Sequence, residues 1–398
     1  MTPAIRMTKR GLLVAAIAWM FTGVAIADTD FETIAHEIPP GYEPTPAYDE
    51  QGLWSEMEDF ELAINKSAVL MRTGDLVDYT HMVVCRVAGP YCGDLRIYVV
   101  RNPNFNATMS PNGMMQVWTG LIVRASSTDE IAAVIGHEIA HYTRLHSLDQ
   151  LRAMRNDMNA GAFFDYALGL TTGIFLPIGH LTAMASALAF SRSQETEADL
   201  LGAKLMAEAD YDPHASYVVW QKMLEEDDAA AARDNKPIGF LSTHRPSEQR
   251  AALLQQVVTD NFGPSSISQF ADQALLDVLN NNYMMLMEDQ LDTNRYGRTL
   301  ELLERHASIG VDMGLVNYFF GETYRQRGAD GDRALAIAAY NASIASGNPP
   351  AEAYKNLGYL LLKEKDLVEA RGAFARYLEI APNASDRAMI EFYLEDLP

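Results

Sequence analysis

The sequence predicts a mainly helical protein with a few short strands, and two observations in its 398 residues support that prediction. Apolar residues recur with helical periodicity through residues 53–82, through 127–144 and through almost all of the last third of the chain. Two segments, residues 96–100 and 113–123, instead have the short apolar runs typical of strands. Hydrophobic residues make up 48% of the sequence, which is enough for a sizeable core in two domains.

The loops and helix starts follow from local residue types. Residues 28–50 are rich in Pro, Asp and Glu, and they predict an extended lead-in. Residues 102–112 carry two prolines and four asparagines, and they predict an irregular connection between the two strands. Ser127 is placed to cap the N-terminus of the helix over 127–144, with Glu130 completing a capping box.

The chain is acidic, with a formal net charge of −22. Nucleic-acid binding needs a clustered basic surface, so no nucleic-acid partner is expected. An acidic surface also provides no electrostatic attraction to anionic lipid.

The N-terminus has the pattern of an export signal. Three basic residues, Arg6, Lys9 and Arg10, precede the apolar run 11–27, which ends in small residues before Asp28. An uncleaved membrane anchor is the alternative, but the run is short and ends in a processing site. We therefore predict a signal peptide over residues 1–27, with cleavage near Ala27 and an exported mature protein.

The sequence has two cysteines, Cys85 and Cys92, which flank the turn-forming pair Gly89-Pro90. In an oxidising compartment such a pair favours a small structural disulfide, and two buried free thiols are the alternative. A zinc knuckle would need a second pair of cysteines. Export therefore predicts a disulfide between Cys85 and Cys92.

Residues 160–190 are unusually apolar, although Asp165, Pro177 and His180 interrupt them. A transmembrane helix needs about 20 mostly apolar residues, so a true span is the less favoured interpretation. The pattern predicts a helical hairpin that is buried or makes peripheral contact with a membrane. His180 is expected to be a core or interface side chain rather than a metal ligand.

The end of the chain carries an internal repeat. With Ala351 as the first position, large and small residues fall on a 34-residue pattern that resembles the tetratricopeptide repeat (TPR). The matching positions are Tyr354, Leu357, Gly358, Leu361, Ala370, Phe374 and Pro382. Residues 314–349 match the same pattern less closely, and we expect residues 270–310 to form an irregular first unit. A generic helical bundle is the alternative to a TPR-like domain.

The strongest chemical signal is His137-Glu138-Ile139-Ala140-His141 on the predicted helix 127–144. Residues four apart share one helix face, so the two imidazoles can converge on one Zn²⁺. Glu138 lies next to the first ligand, where it can act as general base on a water molecule and then as proton shuttle. The motif by itself supports a zinc site only as a hypothesis, and a third protein ligand is needed to strengthen it.

The third ligand does not follow the metzincin spacing, because Arg144 and Ser147 occupy the positions where that pattern needs Gly and His. His146 is one residue out of register and is expected to be a surface side chain or a partner of a ligand. The remaining solution is a carboxylate on a second helix, and we assign Glu195 as the third ligand.

On that second helix, Asp199 lies one turn after Glu195 and is predicted to accept the free imidazole N–H of a zinc-bound histidine. Glu197 lies off this face and is predicted to be a solvated charge. The alternative is an acidic helix start without a metal.

Three motifs in this order resemble the HtpX and CAAX-prenyl-protease family of zinc peptidases. They are Gly136-His-Glu-Ile-Ala-His141, the run from Ser191 to Asp199, and Thr243-His-Arg-Pro-Ser-Glu-Gln-Arg250. The signal peptide and the TPR-like repeats narrow the resemblance to the periplasmic, BepA-like branch. The resemblance implies a zincin-type helical domain with a small β-sheet, over residues 28–262, followed by a repeat domain over residues 263–398.

The resemblance also implies roles for residues of the third motif. His244 matches a histidine near the metal, where it would either polarise the scissile carbonyl or gate the metal, and Arg250 matches an arginine of the family. The sequence departs from the family pattern, since Arg245 intervenes between His244 and Pro246. A substrate strand is implied to pair with the segment 106–113 and the strand after it.

The prediction for function is a periplasmic zinc metalloendopeptidase with one Zn²⁺ per chain. By resemblance, its substrates are misfolded envelope proteins, including unfolded outer-membrane proteins, and its repeats recruit clients or partners for protein quality control. The first alternative is a chaperone or scaffold for outer-membrane protein assembly with a latent or gated protease site. An intramembrane or prenyl-type protease is a weaker alternative, because it requires several membrane spans.

Overall fold

The computed structural model describes residues 31–157, 190–233, 244, 248–266 and 271–398, and these residues are mainly helical with one small mixed sheet. The four strands are β1 (Leu70–Met71), β2 (Arg96–Val100), β3 (Ala107–Met109) and β4 (Met114–Trp118). The helices of the first part are α1 (Tyr48–Asn65), α2 (Asp75–Ala88), α3 (Thr119–Arg124), α4 (Thr128–Thr143) and α5 (His146–Asp157). They continue with α6 (Arg192–Glu208), α7 (Ala215–Arg233) and α8 (Glu248–Phe262). The last part contains α9 (Gln273–Asp292), α10 (Tyr296–Ile309), α11 (Met313–Arg327), α12 (Asp332–Ala345), α13 (Ala351–Glu364), α14 (Leu367–Ile380) and α15 (Arg387–Asp396).

The sheet has the strand order β1-β2-β4-β3. Strands β2 and β4 are parallel, with Val99 opposite Val117, whereas β3 runs antiparallel to β4 and forms one edge. The strand predicted over residues 96–100 is confirmed. The predicted loop over 102–112 is wrong at its centre, because β3 lies there and pairs with β4.

The strand predicted over residues 113–123 ends at Trp118, and its second half is helix α3. The chain turns because Thr119 binds the preceding loop, where its hydroxyl accepts a hydrogen bond from the Asn102 N–H at 3.0 Å. Gly120 lies so close to this loop that a Cβ atom would come within 2.0 Å of the Asn104 carbonyl oxygen. The apolar run continues past the turn because every residue of α3 is buried.

The helix predicted over residues 53–82 is also interrupted, by β1 and a turn at Gly74 with φ of 119°. The helix predicted over 127–144 is confirmed as α4, with the Ser127 hydroxyl accepting from the Glu130 N–H at 3.3 Å. The capping box is not complete as predicted, since the Glu130 carboxylate accepts from the N–H of Ser126 instead of Ser127.

Helices α4 and α6 cross with their backbones in contact, and two glycines make this possible. A Cβ atom on Gly136 would lie 2.9 Å from the Gly202 carbonyl oxygen, and one on Gly202 would lie 2.8 Å from the His137 nitrogen. Both helices are largely buried. This close approach brings the first motif of α4 against the acidic residues at the start of α6.

The lead-in wraps around the end of α4. Its residues 31–47 form turns and irregular structure, and α1 begins at Tyr48 within the predicted extended segment. The N–H groups of Glu37 and Ile38 both donate to the Thr143 carbonyl, at 2.9 and 3.3 Å. The lead-in thereby satisfies a carbonyl that the end of a helix leaves without an intrahelical partner.

A disulfide joins Cys85, near the end of α2, to Cys92 in the 3-10 helix that follows it. The predicted pairing is therefore present in the structure. The bond closes the turn at Gly89, whose φ of 53° suits a residue without a side chain. It lies in the connection between α2 and β2.

The last seven helices include two tightly packed pairs, α11 with α12 and α13 with α14. In each pair a glycine faces an aromatic ring, because a Cβ atom on Gly321 would lie 2.5 Å from Tyr340 and one on Gly358 would lie 2.7 Å from Phe374. These are the small and large positions of the predicted repeat. The TPR-like assignment stays a prediction.

The hydrophobic core runs without interruption from the first part of the chain into these helices. Buried Leu201 on α6, Leu279 on α9 and Tyr340 on α12 belong to the same cluster, while a smaller cluster lies around Phe374. The predicted boundary between residues 262 and 263 stays a prediction. Helices α9 and α10 pack directly against the sheet-containing part of the chain.

Several predictions concern residues outside the described part. The signal peptide over residues 1–27 lies there, as does the apolar hairpin over 160–190 apart from Phe190, including His180. Among the residues that the structure describes, no helix has the length and apolar character needed to cross a membrane.

Candidate metal centre

Four side chains converge where α4 crosses α6. Ligand atoms of His137, His141, Glu195 and His244 all lie within 4.8 Å of one another, and all four residues are buried. The Nε2 atoms of His137 and His141 are 3.1 Å apart. They lie 3.6 and 3.8 Å from the two carboxylate oxygens of Glu195.

These separations suit a tetrahedral metal ion. Ligand atoms that bind Zn²⁺ at about 2.0–2.1 Å in tetrahedral geometry lie about 3.3 Å from one another. The three distances between His137, His141 and Glu195 bracket that value, and imidazole and carboxylate are among the usual ligands of zinc. Burial lowers the pKa of His141 well below its usual value, so this imidazole is neutral and able to bind a cation. The residues present therefore fit a zinc ion.

The imidazole of His137 is held by Asp199 on α6, whose Oδ1 lies 3.0 Å from its Nδ1. This leaves Nε2 facing the other ligands, as predicted for an Asp199 that accepts the N–H of a ligand. Arg250 on α8 binds both Asp199 and Glu195, the latter at 2.5 Å. Burial alone would raise the pKa of Asp199, but Arg250 and His137 lower it to about 2. The carboxylate therefore stays ionised.

The imidazole of His141 is held differently. Its Nδ1 lies 2.9 Å from Nδ1 of His146, and His146 is buried at the start of α5. His146 was predicted to be either a surface side chain or a partner of a ligand, and in the structure it is a partner of His141. The prediction that Glu197 is solvated is wrong, because it binds Arg144 at 2.6 Å and lies 3.4 Å from His146. Tertiary contacts with α4 and α5 cover this carboxylate.

Glu138 is buried beside the ligands, and this burial raises its pKa above the usual range. The backbone N–H of Met109, at the end of the edge strand β3, hydrogen-bonds its carboxylate. Its Oε1 lies 3.4 Å from Nε2 of His244. A carboxylate with a raised pKa, placed between the ligands and an edge strand, is suited to proton transfer.

His244 lies within the ligand group itself. Its Nδ1 is 3.0 Å from Glu195 Oε1 and 3.2 Å from His137 Nε2. Burial alone would lower the pKa of His244, but the carboxylates of Glu195 and Glu138 raise it. His244 therefore contacts the general-base candidate through one nitrogen and the ligand atoms through the other.

The sequence-predicted residues His137, Glu138, His141, Glu195, Asp199, His244 and Arg250 all meet at this centre. Sequence reasoning missed three contributors. Gly202 allows the helices to touch, and its position on the same face as Glu195 was the available signal. The ring of Trp220 on α7 packs against His137 at 5.5 Å, and Met109 contacts Glu138. Nothing in the sequence pattern singled out the last two.

Comparison with known proteins agrees with the geometry. The sequence profile of Peptidase family M48 matches residues 72–258. The chain is 34% identical to "Mitochondrial metalloendopeptidase OMA1" of Schizosaccharomyces pombe over 40% of this chain and 45% of that protein. It is 27% identical to human "Metalloendopeptidase OMA1, mitochondrial" over 52% of this chain and 40% of that protein.

The region matched by a third relative extends into the helices after residue 262. The "Beta-barrel assembly-enhancing protease" of Escherichia coli O157:H7 is 24% identical over 75% of this chain and 66% of its own length. The chain spans less than half the length of the two mitochondrial relatives. The segment that holds the candidate metal centre, residues 72–258, is similar to Peptidase family M48, and the three relatives described above are named as metalloendopeptidases or proteases.

Proposed function

We propose that this protein is a zinc-dependent metalloendopeptidase that binds one Zn²⁺ per chain. The observation that carries the proposal is the convergence of His137, His141 and Glu195, with Glu138 beside them and Asp199 orienting the first ligand. The similarity of residues 72–258 to Peptidase family M48 supports the same chemistry. A bound zinc ion would act as a Lewis acid that polarises the scissile carbonyl and stabilises the charge that develops on it.

Within this proposal Glu138 moves the protons. Its carboxylate takes a proton from the attacking water as the new carbon–oxygen bond forms. It then gives that proton to the nitrogen of the departing amine as the carbon–nitrogen bond breaks. The raised pKa of Glu138 brings the acid and base forms closer in energy, which both steps require.

We infer that a substrate binds as an added strand along β3. This strand is the edge of the sheet next to β4, and its last residue, Met109, contacts Glu138. An edge strand offers unpaired backbone groups to an extended peptide. A peptide on this edge would pass the general base without needing a particular side-chain sequence.

We propose that this activity is located in the bacterial envelope, and two features of the chain support the proposal. Residues 1–27 have the pattern of a cleaved signal, and the Cys85–Cys92 disulfide suits an oxidising periplasm. We propose misfolded envelope proteins, including unfolded outer-membrane β-barrels, as substrates. The TPR-like helices would recruit clients or partners, and residues 160–190 would supply any peripheral membrane contact.

The test compares zinc content and casein cleavage in the wild type and in Glu138→Gln. We expect both proteins to bind one zinc per chain, and cleavage by the variant to fall by about 10²–10⁴-fold, the contribution of a general base. Glu208→Gln, at an exposed position on α6, is the matched control and should cleave normally. A wild type purified without zinc that also fails to bind added zinc would refute the proposal.

A second candidate function is a gated protease that acts as a scaffold until the gate opens. His244 favours it, because its Nδ1 lies among the ligand atoms where the attacking water and the substrate carbonyl would need to enter. Zinc bound by a wild type that cleaves nothing, together with client binding that survives Glu138→Gln, would support this function.

A further inference from the structure

The structure connects the second histidine of the metal motif to a chain of side chains that the proposed mechanism does not use. Nδ1 of His141 and Nδ1 of His146 are 2.9 Å apart, and both rings are buried. His146 lies outside the group of residues whose atoms could share one metal ion among those that the structure describes. Its contact with His141 therefore needs another explanation than metal binding.

The contact fixes where the protons lie. Two facing ring nitrogens form a hydrogen bond only when one carries a proton and the other does not. His141 turns its Nε2 toward His137 Nε2, at 3.1 Å, so its Nε2 lone pair is the one available to a metal. With Nε2 kept for the metal, the His141 proton lies on Nδ1 and is donated to His146, whose 2.9 Å contact is shorter than the 3.1 Å between the two Nε2 atoms. His146 consequently carries its own proton on Nε2.

A carboxylate lies where it can accept the proton on Nε2 of His146. Its Nε2 lies 3.4 Å from Oε2 of Glu197, a carboxylate that Arg144 holds at 2.6 Å. Arg144 in turn binds Glu37 at 3.1 Å. The acceptor is therefore fixed between α5, α6 and the lead-in rather than free in solvent.

The rings are also held in place by packing. Phe190 stacks on the ring of His141, with centroids 3.9 Å apart and an interplanar angle of 22°. Its centroid is 6.1 Å from that of His146. The stack fixes the plane of the His141 ring, and the hydrogen bond to His146 selects between the two orientations that a ring flip within that plane would exchange.

We propose that His146 is a positioning residue that sets the tautomer and orientation of His141, with Glu197 and Arg144 behind it. The inference rests on the proposed metal centre. It gives each histidine ligand its own support, since Asp199 and Arg250 hold His137 while His146, Glu197 and Arg144 hold His141. Partners of this kind typically change metal affinity by 10–100-fold when they are removed.

The experiment uses two substitutions of His146 in the full mature chain at pH 8. His146→Leu removes the acceptor, whereas His146→Asn can place its Oδ1 where Nδ1 was and restore it. Zinc affinity is measured by competition with a chelator. Histidine-selective ¹⁵N NMR of the metal-free protein reports the His141 tautomer, and the His141→Gln spectrum assigns its signals.

We expect His146→Leu to weaken zinc binding by about 10–100-fold and to abolish the single Nδ1–H tautomer of His141. His146→Asn should restore both readouts. His214→Leu is the matched control: His214 is also buried and hydrogen-bonded, but its partners are Asp212 and the Gly263 carbonyl. It should leave the His141 tautomer and the zinc affinity unchanged.

A folded His146→Leu protein with the wild-type tautomer and wild-type zinc affinity would overturn the inference. If that variant does not fold, His146→Phe, which keeps an aromatic ring but offers no acceptor, takes its place, and an unchanged tautomer and affinity there would have the same meaning. A wild type that binds no zinc would instead refute the proposed function. The tautomer measured without metal would still decide the role of His146.

Discussion

Asp199 accepts a hydrogen bond from His137 across the crossing of α4 and α6, with Oδ1 and Nδ1 separated by 3.0 Å. Arg250 binds the same carboxylate from α8. His137 and Asp199 are buried and the Arg250 side chain is 9% exposed, and in this series the Asp199 carboxylate holds the metal-ligand candidate while the Arg250 guanidinium holds the carboxylate. The orientation of His137 on α4 therefore depends on the negative charge of Asp199 on α6.

Asp199→Asn tests this dependence. Asparagine keeps the size of the side chain but removes the negative charge that Arg250 and His137 both bind. We expect zinc affinity to fall by about 10–100-fold, measured by chelator competition. Asp260→Asn, at an exposed position on α8, is the control. Equal zinc affinities for Asp199→Asn and the wild type would mean that the charge does not hold the ligand.

Gly202→Ala tests the contact between the two site helices. Its Cβ would lie 2.8 Å from the His137 nitrogen and 3.0 Å from the Gly136 carbonyl carbon, both of them backbone atoms that cannot rotate away. We expect the helices to separate, which lowers the free energy of unfolding by about 1–3 kcal/mol and weakens zinc binding. Urea unfolding and chelator competition measure the two effects.

Gly372→Ala is the matched control for Gly202→Ala. Gly372 lies within α14, and a Cβ atom there would meet no heavy atom within 4 Å. The control should be neutral or should stabilise the helix by up to about 1 kcal/mol. If Gly202→Ala behaved like this control, the close crossing would not be needed to assemble the site.

His244→Ala separates gating from catalysis. Because Nδ1 of His244 lies among the ligand atoms, 3.0 Å from Glu195 Oε1, we expect its removal to open the site and raise peptidase activity. If roughly 90% of molecules hold the closed contact, cleavage of unfolded protein should rise about tenfold. His81→Ala, at an exposed position on α2, is the control. A fall in cleavage would assign His244 to catalysis instead.

Glu226→Gln tests the junction between the peptidase region and the following helices. Glu226 on α7 is buried beside three arginines: Arg124, at 2.9 Å, and Arg298 and Arg305 of α10. A neutral glutamine would remove the buried negative charge that all three arginines approach. We expect the free energy of unfolding at pH 7 to fall by about 3–5 kcal/mol, measured by urea unfolding.

The same variant predicts a change in acid sensitivity. Burial alone would raise the pKa of Glu226, but the neighbouring arginines hold it below its usual value. A lowered pKa contributes stability at pH values above the unfolded value of about 4.3, and that contribution is lost as pH falls through the folded pKa. Between pH 5 and 3, wild-type stability should therefore fall more steeply than that of Glu226→Gln.

Glu225→Gln, one residue away and exposed, is the control for both measurements. It should match the wild type at pH 7 and show the same acid sensitivity. Identical pH profiles for Glu226→Gln and the wild type would show that the arginines do not hold the Glu226 carboxylate ionised.

Much of the candidate centre could be predicted from the sequence because its parts are local. His137 and His141 are one helical turn apart, as are Glu195 and Asp199, so helix geometry alone puts each pair on one face. The strand over 96–100, the helix over 127–144 and the paired cysteines were likewise set by short-range patterns. Sequence periodicity failed where chain direction changed, as at Trp118, because a fully buried strand and a fully buried helix have the same apolar composition.

The sequence by itself therefore determined which residue types could hold a metal and in what local order. Only the tertiary structure decided what surrounds them. Glu197 looked solvated because its helix position says nothing about Arg144 and His146, which approach from other elements. Met109 and Trp220 joined the centre for the same reason. Contacts between distant segments depend on how whole helices and strands pack, and helix and strand periodicity describes one element at a time.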